Sequence, residues 1–345
     1  MPPTARALDL PALVKQARAG RPRSLARLIS LVEDAHPALR EVMAALTATA
    51  APAGGGTTVI GLTGPPGVGK STTTSALITA FRARGQTVGV LAVDPSSPFS
   101  GGALLGDRIR MHEHALDEGV FIRSMATRGH LGGLTRSTPQ AVRVLAAAGY
   151  DLVLIETVGV GQSEIQIAGL ADTTVVLLAP GMGDGIQAVK AGILEVGDVF
   201  VVNKADRDGA QATARDLRHM IGLAHRLEPG GWRPPVLPTV ASTGSGIAAL
   251  VEALDRHRTW LTGDRLADRR GRRAGAEIEA LVMAELRARV GRLRPGPRLE
   301  DLAAEVVGGR MDPYTAADIL LRAVSAAGNE AGGECVSVPN DNREQ

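Results

Sequence analysis

Residues 57–75 read Thr-Thr-Val-Ile-Gly-Leu-Thr-Gly-Pro-Pro-Gly-Val-Gly-Lys-Ser-Thr-Thr-Thr-Ser, and few stretches restrict a fold so severely. The β-branched and apolar run at 57–63 predicts a strand buried on both faces. The glycines that follow permit a tight loop, and Lys70-Ser71 opens a helical pattern through Leu77, Ile78 and Phe81. A strand, a G-x-x-x-x-G-K-S loop and a helix in that order form a phosphate cradle. Backbone N–H groups of Gly64-Pro65-Pro66-Gly67-Val68-Gly69 can point at a polyphosphate, and the helix N-terminus adds partial positive charge. Lys70 is placed to reach the β- and γ-phosphates. Ser71 can bind Mg²⁺, and Thr72 follows on the first helical turn. The chain is therefore expected to bind a nucleoside triphosphate.

From Thr57 onward short β-branched runs alternate with helical patterns, at 57–63, 87–93, 119–124, 152–156, 173–179, 198–203 and 236–240. Such alternation predicts an α/β domain with a mostly parallel sheet and ligand loops at the carboxyl ends of its strands. Before it, residues 8–49 carry helical periodicity broken at Gly20-Arg21-Pro22 and His36-Pro37, then a Gly- and Pro-rich linker. After residue 262 the strand signal stops, and helices are expected over 264–292, 298–307 and 313–326. The organisation read from this is a helical extension over 1–50, a nucleotide domain over 51–262, a helical region over 263–327 and a disordered tail over 328–345.

Composition narrows the partners. The chain has 345 residues, net charge +2 and eight aromatics, so neither a cationic patch nor base-stacking rings indicate nucleic-acid binding. Of 38 basic residues four are lysine (Lys15, Lys70, Lys190, Lys204), which suggests that a compact ammonium is needed where lysine is kept. One cysteine, Cys335, fits a reducing compartment. No apolar stretch approaches a membrane span and the N-terminus lacks a signal-peptide core, so a soluble, cytoplasmic protein is expected.

Asn203-Lys204-Ala205-Asp206 follows the apolar run Val199–Val202. Asp206 can accept two hydrogen bonds from the N1–H and exocyclic amine of guanine, whereas adenine leaves the carboxylate unpaired. The Lys204 stem can pack over the base, and Ala241-Ser242 is placed to meet the base edge through its backbone. GTP and GDP are thus the expected ligands. Asp94 and Glu156 each close a buried run, where a carboxylate beside a phosphate loop suits Mg²⁺. Gly159 stands where a backbone N–H could meet the γ-phosphate. The position that orients water in Ras-like enzymes holds Val160, so intrinsic hydrolysis is expected to be slow; Gln162, Asp94 and Asp107 are candidates for that task. The glycine-rich stretches 124–134 and 179–185, the latter ending near Lys190, read as loops able to move with nucleotide state. His112-Glu113-His114 does not read as a metal site, since residues two apart diverge on a helix.

Taken together, Gly64–Thr72, Val93–Pro98, Gly106–Met111, Ser124–Leu134, Glu156–Ser163 and Asn203–Asp206 resemble the MeaB/ArgK-type GTPases, chaperones of adenosylcobalamin-dependent methylmalonyl-CoA mutase. The resemblance runs from about residue 8 to 326. It implies a G domain of the SIMIBI class (with signal-recognition and nickel-insertion GTPases), an N-terminal helical extension and a C-terminal dimerisation arm. It also implies a catalytic set of Lys70, Asp94, Asp107 and Glu156, and Mg²⁺ held by Ser71, Asp94, Asp107 and Glu156. Gln162, Gly181, Asp184 and Lys190 fall in switch segments, the last three in the one that senses the mutase. No extra lysine lies near Gly64, so activation by such a lysine across a dimer is not expected. The rival readings are a nickel-type metal-insertion GTPase, for which Cys or His ligands are lacking, and a regulatory ATPase or kinase tied to basic amino-acid transport, against which Asp206 speaks.

Overall fold

In the computed structural model, residues 9–47, 56–94, 112–126, 137–157, 166–181, 192–224, 230–291 and 298–331 are described. The first three helices are α1 (Leu10–Arg18), α2 (Pro22–Glu33) and α3 (Leu39–Thr47). The break between α1 and α2 is made by Gly20 at φ 72 and by Pro22 at the first position of α2, where a missing N–H costs nothing. Then follow β1 (Thr58–Thr63), α4 (Lys70–Arg82), β2 (Val88–Asp94), β3 (Val120–Ala126), α5 (Thr138–Ala147), β4 (Leu152–Glu156), β5 (Thr173–Leu178), α6 (Gly192–Val196), β6 (Val199–Val202), α7 (Ala210–Ala224), β7 (Val236–Pro238) and α8 (Ile247–Trp260). After these come α9 (Asp264–Gly291), α10 (Leu299–Val307) and α11 (Pro313–Ala331).

Among the described residues seven strands form one parallel sheet in the order β3-β2-β4-β1-β5-β6-β7. Successive residues of a strand point to opposite faces, and the core divides accordingly. From β4, Val153 and Ile155 join Leu91, Val93 and Met125 on one face, where α2, α3 and α5 contribute Leu28, Val42 and Val144. Leu152 and Leu154 lie on the other face with Leu77 and Phe81 of α4 and Leu250 and Leu254 of α8. Each fully buried Leu or Ile contributes about 1.5–3 kcal/mol, so α1–α3 are a wall of this core rather than an appendage. Together with α5, which packs on β2 and β4, they close that face, α2 lying against β3.

Two differences from the sequence reading bear on the site. Ser124, Met125 and Ala126 continue β3, paired with Ala92, Val93 and Asp94, because the Met125 side chain is fully buried; the expected loop starts later. The strand expected to reach residue 240 stops at Pro238, and Val240 turns to bridge Ser245. The chain divides into two compact units, Met1–Arg273 and Ala274–Gln345. The break falls inside α9, because its first turns are bolted to the sheet. Arg269 forks onto Asp198 at 3.0 and 2.7 Å, and Arg270 onto Asp172 at 3.2 and 3.1 Å. The second unit has its own small core of Leu302, Ala316, Leu320 and Val324.

Candidate nucleotide-binding site

The site gathers at the carboxyl ends of β1, β4, β5 and β6, on both sides of the central strand β1 where the winding direction reverses. Ligands of doubly wound sheets bind at such a crevice. Two glycines are required by close approach and backbone angle. At Gly64 (φ 139) a Cβ would lie 2.1 Å from the Leu177 carbonyl oxygen of β5; at Gly69 (φ 94) it would lie 2.4 Å from Asn203 Nδ2. Between them Pro66 and Gly67 are exposed at the rim. Val68, by contrast, buries its side chain in the core, so a ligand can meet it through the backbone alone. Helix α4 then starts at Lys70 with Gly69 as its left-handed cap, aiming its amino end at the cradle. Lys70 is buried, and its ammonium donates to the carbonyls of Gly64 (2.8 Å) and Pro65 (3.1 Å). The charge is held over the loop it is expected to serve.

Glu156 ends β4 with its carboxylate buried. Ser71 Oγ donates to its Oε1 at 2.6 Å, and Thr74 Oγ1 lies 3.0 Å from its Oε2. Beside it, the Thr157 and Thr63 hydroxyls meet at 3.1 Å and the Thr157 N–H donates to the Leu62 carbonyl at 3.1 Å, fixing the exit of β4 against β1. Thr74 belongs to no sequence motif named above. Its spacing is the signal: it lies three residues beyond Ser71, hence on the same helix face.

The Asn203–Asp206 stretch ties three segments of the chain together. Asn203 is buried; its Nδ2 donates to the Val68 carbonyl at 2.8 Å, and its Oδ1 accepts from the Ala241 N–H at 3.0 Å and the Thr239 hydroxyl at 3.1 Å. One amide thus joins the phosphate loop, the end of β6 and the segment after β7. The Ala241 N–H expected at a base edge is engaged by Asn203, which leaves the exposed Ser242 as the backbone group at that rim. Lys204 adopts φ 56, a conformation uncommon for a side-chain-bearing residue, and its Nζ donates to the Gly67 carbonyl at 2.6 Å. Its stem therefore spans from β6 to the phosphate loop. Asp206 is exposed two residues on, and Thr72 is exposed on the first turn of α4.

Gly64 to Ser71, Glu156, Asn203, Lys204 and Ala241 are thus joined in one hydrogen-bonded assembly. Gly181 lies in the turn after β5 with φ 78. Asp94 closes β2, but its side chain, like Asp107, Gly159, Val160, Gln162, Asp184 and Lys190, lies outside the described residues. Among the described residues no group of three His, Cys, Asp or Glu is placed to hold a metal. No helix among them is long and apolar enough to cross a membrane.

A glycine cradle, a lysine over it, a helix amino end and a hydroxyl–carboxylate pair on a doubly wound parallel sheet define a P-loop nucleoside triphosphatase of the SIMIBI class. The family described as "Methylmalonyl Co-A mutase-associated GTPase MeaB" matches residues 25–293, and the chain belongs to it. A GTPase of Pyrococcus abyssi is 44% identical over 318 residues, covering 92% of this chain and 97% of that protein. GTPase ArgK of Escherichia coli is 40% identical over 252 residues, covering 72% of this chain and 76% of that one. Among solved structures, one titled as a LAO/AO transport system kinase superposes with TM-score 0.67 at 28% identity, covering 94% of this chain and 99% of that one. The protein is a GTP-binding and GTP-hydrolysing enzyme.

Proposed function

We propose that this GTPase acts as a chaperone that gates adenosylcobalamin loading of an acyl-CoA mutase and protects the loaded enzyme. What carries the reading is the family match over residues 25–293, which takes in the phosphate loop, both acidic strand ends and Asn203–Asp206. That family is named for its association with methylmalonyl-CoA mutase.

In the proposed chemistry Lys70 and the loop N–H groups take up charge that develops on the γ-phosphate as water attacks in line. Asp206 pairs the guanine edge, the Lys204 stem covers the base, and the Ser242 backbone bounds it. The hydroxyl of Ser71 and the carboxylate of Glu156, 2.6 Å apart, are hard oxygen donors of the kind Mg²⁺ takes. Ser71, Glu156, Asp94 and Asp107 would hold it. Bound there, Mg²⁺ supplies positive charge to the phosphate oxygens. Gly159 would meet the γ-phosphate, and Gln162, Gly181, Asp184 and Lys190 would transmit nucleotide state to the partner.

Homodimerisation is part of the same reading, and the apolar Ile278, Leu281, Val282 and Met283 left exposed on α9 support it. A pull-down with the purified chain, with and without a non-hydrolysable GTP analogue, tests the proposal. A cobalamin enzyme is expected in one nucleotide state only, and adding that mutase should raise basal GTP turnover. Equal recovery in both states together with an unchanged rate would refute the coupling.

A further inference from the structure

A second set of contacts on α4 lies outside the machinery described above. Ser75 is one turn beyond Ser71, and its buried hydroxyl meets the Glu113 carboxylate and His114 Nε2, the latter at 2.9 Å. His114 Nε2 also lies 3.2 Å from the Ser75 carbonyl. The chemistry closes if the hydroxyl donates to Glu113 and accepts from the imidazole N–H. Two turns further along, Arg82 forks onto Asp117 at 2.9 and 2.8 Å, and the Gly119 N–H donates to the same carboxylate at 2.8 Å. Residues 112–119 are therefore stapled to α4 at two points, and Glu113 stands where Ser75 holds it although its side chain is 68% exposed.

That position borders a groove of about 700 Å³ between α4 and the segment after β7. Thr72 and Ser242, both assigned to the nucleotide site, line one end of it, and Ala76, Gly244 and Ile247 give it a small, apolar wall. Thr72 and Ser75, three residues apart on the helix, have Cβ atoms about 5–6 Å from each other. Glu113 is the one charged side chain among the described lining residues. A carboxylate accepts hydrogen bonds and repels phosphate, so the part of a nucleotide suited to this wall is a neutral hydroxyl donor. Ribose presents two adjacent ones, and an acidic side chain is a proven reader of a ribose hydroxyl in other nucleotide folds.

We infer that Glu113, held by Ser75, recognises the ribose hydroxyls of the bound guanine nucleotide and selects ribo- over deoxyribonucleotides. The inference rests on the nucleotide site proposed above. It is tested by calorimetric titration of the full chain with GTP, 2′-deoxy-GTP and 3′-deoxy-GTP, for the native protein and for Glu113→Ala. A hydrogen bond to a charged acceptor corresponds to about tenfold in affinity or more. The native chain should therefore bind GTP about tenfold tighter than at least one deoxy analogue. In Glu113→Ala that ratio should fall to within about twofold, with affinity for the deoxy analogue unchanged. Ser75→Ala should lower the ratio part of the way. A native chain that binds all three alike, or a ratio that survives in Glu113→Ala, overturns the inference and leaves the nucleotide site standing. Equal losses for every nucleotide in Glu113→Ala would assign the residue to holding α4 and overturn it too. A native chain that binds none of the three would refute the site itself.

Discussion

Asn203→Asp separates recognition from architecture, because it changes one atom of a buried side chain. Oδ1 remains, so the bonds from the Ala241 N–H (3.0 Å) and the Thr239 hydroxyl (3.1 Å) can persist. The other terminal atom changes from a donor to an oxygen that faces the Val68 carbonyl 2.8 Å away. Losing that bond costs about 1 kcal/mol, and setting a partial or full negative charge against a carbonyl in a buried place costs about 2 kcal/mol more. The sum is about 3 kcal/mol. At a urea slope of about 2–3 kcal/mol per molar for a chain of this size, the unfolding midpoint should fall by about 1 M. The Val68 peptide belongs to the phosphate loop, so displacing it should also weaken GTP at least tenfold in calorimetry. Native GTP affinity in a folded Asn203→Asp protein would refute the claim that this amide positions the phosphate loop.

Three further outcomes follow from other contacts. Asp206→Ala should erase most of the preference for GTP over ATP in a competition assay, since the guanine donors lose their acceptor; an unchanged preference would mean that another group reads the base. Asp172 is buried, accepts the Val59 N–H at 3.0 Å and pairs with Arg270. Asp172→Ala should therefore destabilise the chain by about 3 kcal/mol in urea unfolding, and a loss under about 1 kcal/mol would contradict the anchoring role given to the start of α9. Burial by itself pushes the Asp198 carboxyl up, but His257, whose Nε2 is 3.3 Å away, and the Arg269 fork hold it below the usual carboxylate range. A depressed folded pKa contributes stability that is present above the unfolded value of about 3.9 and lost as pH falls through the folded one. Stability should accordingly drop below about pH 4, and the drop should be smaller in Asp198→Asn.

The nucleotide class and the sheet were legible from the chain because they are written in local chemistry. A strand, a glycine loop and a lysine at a helix start allow one arrangement of backbone N–H groups, and buried strands alternating with helices allow few sheets. Strand and helix bounds largely follow from the same local preferences, except the ends of β3 and β7, which burial of Met125 and the Val240–Ser245 bridge decide. Partnerships between residues far apart in sequence were not legible. Nothing around Asn203 shows that its amide joins Val68, Thr239 and Ala241, because that follows from β6 and β7 lying beside the loop after β1. Likewise Glu156 lies more than 80 residues from Ser71 and Thr74 and meets them because β4 pairs with β1. Ser75 and Glu113 are joined by the stapling of residues 112–119 to α4. The helices before residue 50 read as an extension, and only the packed sheet made them one face of its core. Local sequence determines which backbone geometries are affordable; which side chains become neighbours is decided by how the strands are ordered, a property of the whole folded chain.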